Sequence, residues 1–252
     1  MKYIDQTGHK ITLNRQAIRI VSVVPSQTEL LYYLGIEPIG QTIFCIHPSD
    51  KFDDAHKIGG TKKLQLSKIE KLNPDLILGN KEENDKEQIN KLRQRFPVWL
   101  SDIKTIDDAL QMILSIGELI GKSDQALQLK KEIEDGFGSF NLQKNRTVLY
   151  LIWKDPYMAA GKSTYINSII QASGYSNALT PDELRYPSIS GAEIRELNPD
   201  EIWLSSEPYP FKDKHITELQ QSTPNAAIKL VNGELFSWYG PRMLETINYL
   251  RQ

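Results

Sequence analysis

Cysteine is nearly absent from this chain. Its 252 residues include one, Cys45, so no internal disulfide can form and no multi-cysteine zinc site can be built. Histidine is scarce, with four residues, and there is no Gly-x-Ser-x-Gly, so a nucleophilic hydrolase lacks its parts. No apolar run approaches the roughly 20 residues that span a bilayer. The opening Met1-Lys2-Tyr3-Ile4-Asp5 has no apolar core of a secretory leader. The expected location is therefore the periplasm if a leader has been removed, and the cytoplasm if Met1 is the native start. Excess positive charge is also missing: a net charge of −2 gives no electrostatic footprint for nucleic acid. Gly161-Lys162-Ser163-Thr164 ends like a phosphate-binding loop. Pro156 stands where that motif needs glycine, so nucleotide hydrolysis is rejected.

What the chain does contain is a repeat. Leu72-Asn73-Pro74-Asp75-Leu76-Ile77-Leu78 is echoed 125 residues on by Leu197-Asn198-Pro199-Asp200-Glu201-Ile202-Trp203-Leu204. A residue before proline is pushed out of the helical region, so each copy reads as helix, tight turn and buried strand. A hydrophobic content of 40% suffices for one large domain or for two, each of roughly 100 to 120 residues. Two similar α/β halves imply a cleft between them, a common place to bind a small molecule.

The rest of the pattern agrees with two halves. The stretch Asp5 to Leu13 reads as a hairpin turning at Gln6-Thr7-Gly8. Arg19-Ile20-Val21-Ser22-Val23-Val24 reads as a strand, and Ser26 with Glu29 as the capping box of a helix from Gln27 to Leu34, stopped by Gly35. Pro97-Val98-Trp99-Leu100 closes the first half as a strand. From Thr105, apolar residues at Ile106, Ala109, Leu110, Ile113, Leu114 and Ile120 have helical spacing. Gly121 and Ser123 interrupt this pattern, and a more charged helix continues to about Asp135. Strands are expected at Thr147–Trp153 and Ala227–Val231, and helices at Thr164–Ala172 and after Pro241. Alternating short strands and helices predict mostly parallel sheets covered on both faces. The expected domains are an α/β lobe over 1–104, a connecting helix over 105–138 and an α/β lobe over 139–252.

Ligands in open α/β sheets sit outside the carboxyl ends of the strands, so loop residues there carry the most weight. Phe44, Trp153, Tyr157, Tyr186, Tyr209, Phe211, Phe236, Trp238 and Tyr239 are candidates. Any one alone is more commonly core; as a loop set, such rings suit a large, flat, partly apolar ligand. Cys45 and His47 share one loop. They are metal-ligand types, with the plainer alternative of a buried thiol and a hydrogen-bonded imidazole. His47 could also be an axial ligand to a metal already inside a cofactor. Arg242 suits a phosphate or carboxylate on the ligand, or a salt bridge.

The most specific stretches are Arg19 to Leu30, the paired Leu-Asn-Pro-Asp units, Gly161-Lys162 and Phe236-Ser237-Trp238-Tyr239-Gly240-Pro241-Arg242. In these, and over essentially its whole length, the chain resembles the periplasmic substrate-binding proteins of ABC importers for cobalamin, haem and iron-siderophores. It is most similar to the cobalamin-binding branch. The resemblance implies the class III fold of such proteins: two Rossmann-like lobes with mostly parallel sheets, joined by one long backbone helix. That stiff rod implies little lobe closure.

It also implies non-catalytic binding of a corrinoid or other metal chelate between the lobes, with no intrinsic cofactor. Carried over by position, the ligand contacts would be Phe44, Cys45, His47, Thr61, Lys62, Trp153, Tyr157, Tyr186, Glu207, Trp238, Tyr239 and Arg242. The implied partner is an ABC permease, bound by a monomer. Importing members dock through one carboxylate per lobe, and the matching positions here are Ser67 and Ala192, neither acidic. Iron-siderophore or haem binding is the alternative within the family. A cytoplasmic metal-handling protein or enzyme using Cys45 and His47 is the alternative outside it.

Overall fold

Residues 1–140, 145–179 and 184–252 are described by a computed structural model. They fall into two units. The first comprises 1–103, 107–133 and 238–243; the second comprises 104–106, 134–237 and 244–252. Most of the expected connecting segment thus groups with the first unit. So does 238–243, which the sequence reading placed in the C-terminal lobe.

The first unit opens with a hairpin, β1 (Lys2–Ile4) and β2 (Lys10–Thr12). Gly8 at its tip has φ +84, a conformation glycine adopts without Cβ strain. Asp5 fixes the turn by accepting from the Thr7 and His9 backbone N–H groups at 2.9 and 2.8 Å. Then come β3 (Ile20–Ser22), α1 (Pro25–Tyr33), β4 (Gly40–Gln41), β5 (Gly59–Gly60), β6 (Lys63–Leu64), α2 (Leu66–Leu72), β7 (Leu76–Asn80), α3 (Lys86–Arg93) and β8 (Val98–Ser101). The main sheet has the order β4-β3-β7-β8, all parallel. Its strands are buried throughout, as in a sheet covered on both faces. Val21, Val23, Ile69, Ile77 and Val98 are among the residues of its core.

Helix α1 starts earlier than the sequence suggests. Pro25 occupies its first turn, where a fixed φ and a missing N–H cost nothing. Ser26 lies inside the helix, and its hydroxyl accepts from the Tyr239 N–H at 3.3 Å instead of capping.

The connecting stretch is two helices, α4 (Ile106–Leu119) and α5 (Ser123–Gly138), where one was expected. Gly121 parts them: its φ of +71 closes α4 and cannot continue it. Ala109, Leu110, Ile113 and Ile116 form the buried face of α4.

The second unit runs β9 (Thr147–Trp153), β10 (Tyr157–Ala159), α6 (Tyr165–Ala172), β11 (Ser176–Asn177), β12 (Ser188–Ile189), α7 (Gly191–Leu197), β13 (Glu201–Ser205), α8 (Asp213–Ser222), β14 (Ala227–Val231), α9 (Glu234–Ser237) and α10 (Arg242–Leu250), whose first two residues group with the first unit. Its sheet has the order β12-β10-β9-β13-β14, with β11 beside β9. Strands β11, β9, β13 and β14 are parallel, and β10 and β12 are antiparallel additions. The Lys162-Ser163-Thr164 stretch is a helix start: the Thr164 hydroxyl accepts from Asn167 N–H at 3.2 Å and donates to Gly161 O at 2.7 Å.

The sequence repeat is also a structural one. Helices α2 and α7 both end on a left-handed asparagine, Asn73 at φ 47 and Asn198 at φ 41. Asparagine tolerates this region because its short polar side chain bonds locally. Proline follows, and the next aspartate holds the neighbouring strand. Asp75 accepts from the Ile18 and Arg19 N–H groups at 3.1 and 2.9 Å. Asp200 accepts from the Thr147 N–H and hydroxyl at 2.6 and 2.9 Å.

At position 198, glycine should be tolerated, whereas Asn198→Val should cost about 1–2 kcal/mol through left-handed strain. Urea denaturation of both variants measures this. Equal stability of the two would show that the asparagine conformation imposes no constraint.

Candidate binding site

The carboxyl edge of the first unit's sheet carries a buried polar network. Asn80 Nδ2 donates to Ser101 Oγ at 3.0 Å and to Tyr239 Oη at 2.9 Å. Gln27 Nε2 donates to Ser101 Oγ at 2.8 Å and to Gly79 O at 2.9 Å. Tyr239 Oη donates to Glu83 at 3.3 Å. Burial, with the Glu83 charge adding to it, pushes the Tyr239 hydroxyl well above its ordinary pKa. Arg242, also buried, grips Glu29 of α1 through two nitrogens at 2.5 and 3.2 Å. Its guanidinium lies 5.5 Å from the Trp238 ring centroid. Together these contacts fasten 238–243 to the first unit and set Trp238 edge-on to His47, 5.3 Å between centroids.

The loop after β4 presents the exposed side chains Ile43, Phe44 and Ile46. Phe44 is 53% exposed, and its ring lies against bare backbone: a Cβ at Gly60 would stand 3.0 Å from it. Cys45, between these exposed neighbours, points inward. It is fully buried, with the Thr28 and Thr42 hydroxyls each 3.1 Å from its sulfur. Burial raises its thiol pKa against the pull of those hydroxyls. A thiol so placed resists forming the thiolate that metals and electrophiles require. Thr61 offers its carbonyl to Asn84 Nδ2 at 3.1 Å, and Lys62 Nζ donates to Glu82 O at 2.6 Å. Among the described residues no group of three or more His, Cys, Asp and Glu could hold a metal ion.

The second unit brings together a different set. Trp153 ends β9 at 40% exposure and stacks edge-on against Tyr209 at 5.6 Å. Tyr157 opens β10 and donates to Glu218 at 3.4 Å, and Lys154 pairs with the same carboxylate at 2.5 Å. The Lys154 hydrogen bond holds Glu218 below the ordinary carboxylate range. Glu207 accepts from the Ser237 hydroxyl at 2.7 Å. Tyr186, half-buried, follows Arg185, whose guanidinium is 5.9 Å from its ring centroid.

Of the twelve residues expected to contact ligand, eight lie in the first unit: Phe44, Cys45, His47, Thr61, Lys62, Trp238, Tyr239 and Arg242. Trp153, Tyr157, Tyr186 and Glu207 lie in the second. Phe44 and Trp153 are the exposed rings, whereas Cys45, Tyr239 and Arg242 are buried and engaged with protein groups. Sequence reading did not single out Asn80, Gln27 and Ser101, whose partners are remote in the chain. His215 behind Tyr209 was also missed; its one local signal is its place three residues after Lys212 at the start of α8.

The two positions matched to docking carboxylates, Ser67 and Ala192, are exposed second residues of α2 and α7. Their acidic neighbours are engaged. Glu70 pairs with Arg95 at 2.7 Å, and Glu193 accepts from the Ser190 N–H at 2.7 Å in a capping box.

A family profile described as periplasmic binding protein matches residues 20–229. The uncharacterised ABC transporter substrate-binding lipoprotein YvrC of Bacillus subtilis is 24% identical, over 98% of this chain and 83% of that protein. The vitamin B12-binding protein of Pectobacterium carotovorum is 24% identical, over 90% of this chain and 84% of that protein. Among solved structures, the catecholate-siderophore binding protein VctP of Vibrio cholerae superposes with TM-score 0.83 at 17% identity, covering 100% of this chain and 99% of that one. The haem-binding protein RhuT of Roseiflexus superposes with TM-score 0.80 at 21% identity, covering 92% and 95%. At such identities the structural likeness concerns the fold.

Glu29 accepts two hydrogen bonds from the buried Arg242, so Glu29→Ala, which breaks this buried pair, is expected to cost about 3–5 kcal/mol in urea denaturation. A loss below about 1 kcal/mol would mean the pair behaves as a surface bridge. Cys45 should resist iodoacetamide at neutral pH in the folded protein and react once unfolded. Rapid labelling of the native state would contradict its inward placement.

Proposed function

Because this chain belongs to the periplasmic binding protein family, we propose that it is the substrate-binding component of an ABC importer for a bulky metal chelate: vitamin B12, haem or a ferric siderophore. Within that class the reading favours a corrinoid. The family binds without catalysis, and its two-unit α/β fold is the one found here. Among the described residues no helix is long and apolar enough to cross a membrane, so passage through the bilayer would fall to a partner permease.

The observation that carries the reading is the exposure of large rings at the carboxyl ends of strands in both units, Phe44 after β4 and Trp153 at the end of β9. Exposed rings held by neighbours contribute contact area at small entropic cost. They suit a broad, flat, partly apolar guest better than a sugar or amino acid. The other residues of the expected ligand set, His47, Thr61, Lys62, Tyr157, Tyr186 and Glu207, bring hydrogen-bonding capacity. Trp238 adds a ring beside His47. Tyr239 and Arg242 support this edge from beneath. Curated relatives named for vitamin B12 favour the corrinoid; structural neighbours named for haem and a catecholate siderophore keep the other two chelates as rivals. The inward thiol of Cys45, held by two threonine hydroxyls, weighs against the metal-handling alternative.

Titration with cyanocobalamin, haemin and a ferric catecholate discriminates these. Cyanocobalamin should quench tryptophan fluorescence, raise the melting temperature and bind with a Kd of about 1 μM or tighter. Phe44→Ala and Trp153→Ala should each weaken binding by about fivefold to tenfold. Silence to all three chelates would reject the reading. Binding of haemin alone, with a Soret shift lost in His47→Ala, would move the cargo from corrinoid to haem.

A further inference from the structure

Trp153 is an exposed ring on the last residue of β9, so its orientation depends on what stands behind it. Tyr209 stands there, and its backbone N–H donates to Ile152 O at 3.3 Å, tying its loop to the end of β9. Tyr209 is flanked in turn by Phe211 at 4.8 Å and His215 at 5.6 Å, and those two rings meet at 5.4 Å. His215 is 2% exposed, the third residue of α8.

The tautomer of His215 follows from its partners. Nδ1 accepts the Lys212 backbone N–H at 2.8 Å, and a nitrogen that accepts carries no proton. The neutral ring therefore keeps its proton on Nε2, which faces Tyr209 Oη at 3.4 Å. A second proton would have to sit on Nδ1, against the Lys212 N–H. Lys154 just after β9 and Lys214 of α8 oppose added positive charge, and the neighbouring charge that favours it, Glu218, is already tied to Lys154 at 2.5 Å. Burial first, and these lysines second, lower the pKa of the ring from its ordinary value.

We propose that His215, as the neutral Nε2–H tautomer, is a positioning residue that holds Trp153 through Tyr209, so that chelate binding weakens on acidification. This rests on the reading of Trp153 as a ligand contact. The direction follows from linkage. The unfolded chain takes up the histidine proton near the ordinary value of about 6.5, and the folded chain only at lower pH. Stability and ring placement are thus complete above that value and are lost as pH falls through the lower folded one.

The test uses the full chain labelled with 5-fluorotryptophan, the Trp153 signal being assigned by Trp153→Phe. His215→Gln keeps an acceptor for the Lys212 N–H, as in a capping box, yet cannot titrate. Without ligand, the Trp153 fluorine signal of the parent should change between near pH 7.5 and about pH 5, and that of His215→Gln should stay fixed. With cyanocobalamin as probe, the parent Kd should weaken about fivefold or more over that range, and that of His215→Gln should change less than about twofold. Tyr209→Phe, which keeps the ring and removes the hydroxyl, should lose most of the pH response and decides the matter if His215→Gln fails to fold. A Trp153 signal indifferent to pH, or one that titrates equally in His215→Gln, overturns the proposal. If cyanocobalamin fails to bind at any pH, the corrinoid reading falls, and the ligand-free fluorine signal alone judges the role of His215.

Discussion

Two aspartates set the register on which everything else rests. A parallel sheet has no hairpin turn to fix how far one strand slides along the next, and a slip of one residue would exchange its two faces. Asp75 and Asp200 supply the missing reference in their own units. Each follows a left-handed asparagine and a proline at the end of a short helix, and each bonds the first residues of the strand next door or those just before it. With the start of the central strand pair pinned, the carboxyl ends are aligned, and so are the loops that leave them. Phe44 and Trp153 are displayed where they are because this alignment holds at the other end of the sheet.

Much of this was legible in the chain. The repeated Leu-Asn-Pro-Asp gave helix, turn and strand in both halves, because proline and asparagine act through local sterics that need no tertiary knowledge. Strands Thr147–Trp153 and Ala227–Val231 coincide with their apolar runs. What failed to read through was arbitration between local signals. Ser26 looks like a cap, but Pro25 beside it starts the helix two residues sooner than a Ser26 cap would. Gly121 looked like an interruption and is a full break.

The site was less legible than the fold, for a physical reason. Whether Cys45 or Arg242 faces solvent depends on partners such as Thr28 and Glu29, which only folding brings near. Residue type alone leaves a ligand-binding arginine and a buried ion-paired one indistinguishable. The candidate rings divide the same way: Phe44 and Trp153 are exposed at strand ends, whereas Phe211, Phe236, Trp238 and Tyr239 are buried. The support beneath those rings, Tyr209 on His215 and Tyr239 on Asn80, joins loops to a helix start and to a strand end, and no spacing rule announces it.

The route of the chain carries a consequence for how the molecule can be divided. Residues 238–243 complete the first unit, whereas 244–252 return to the second. No single scission separates the two: a fragment ending at Ile133 would lack Trp238, Tyr239 and Arg242, leaving Asn80 and Glu29 without those partners. Dissection into halves would therefore need a circularly rearranged gene or a grafted hexapeptide, and evolutionary exchange of one half for another would have to carry that small return segment with it.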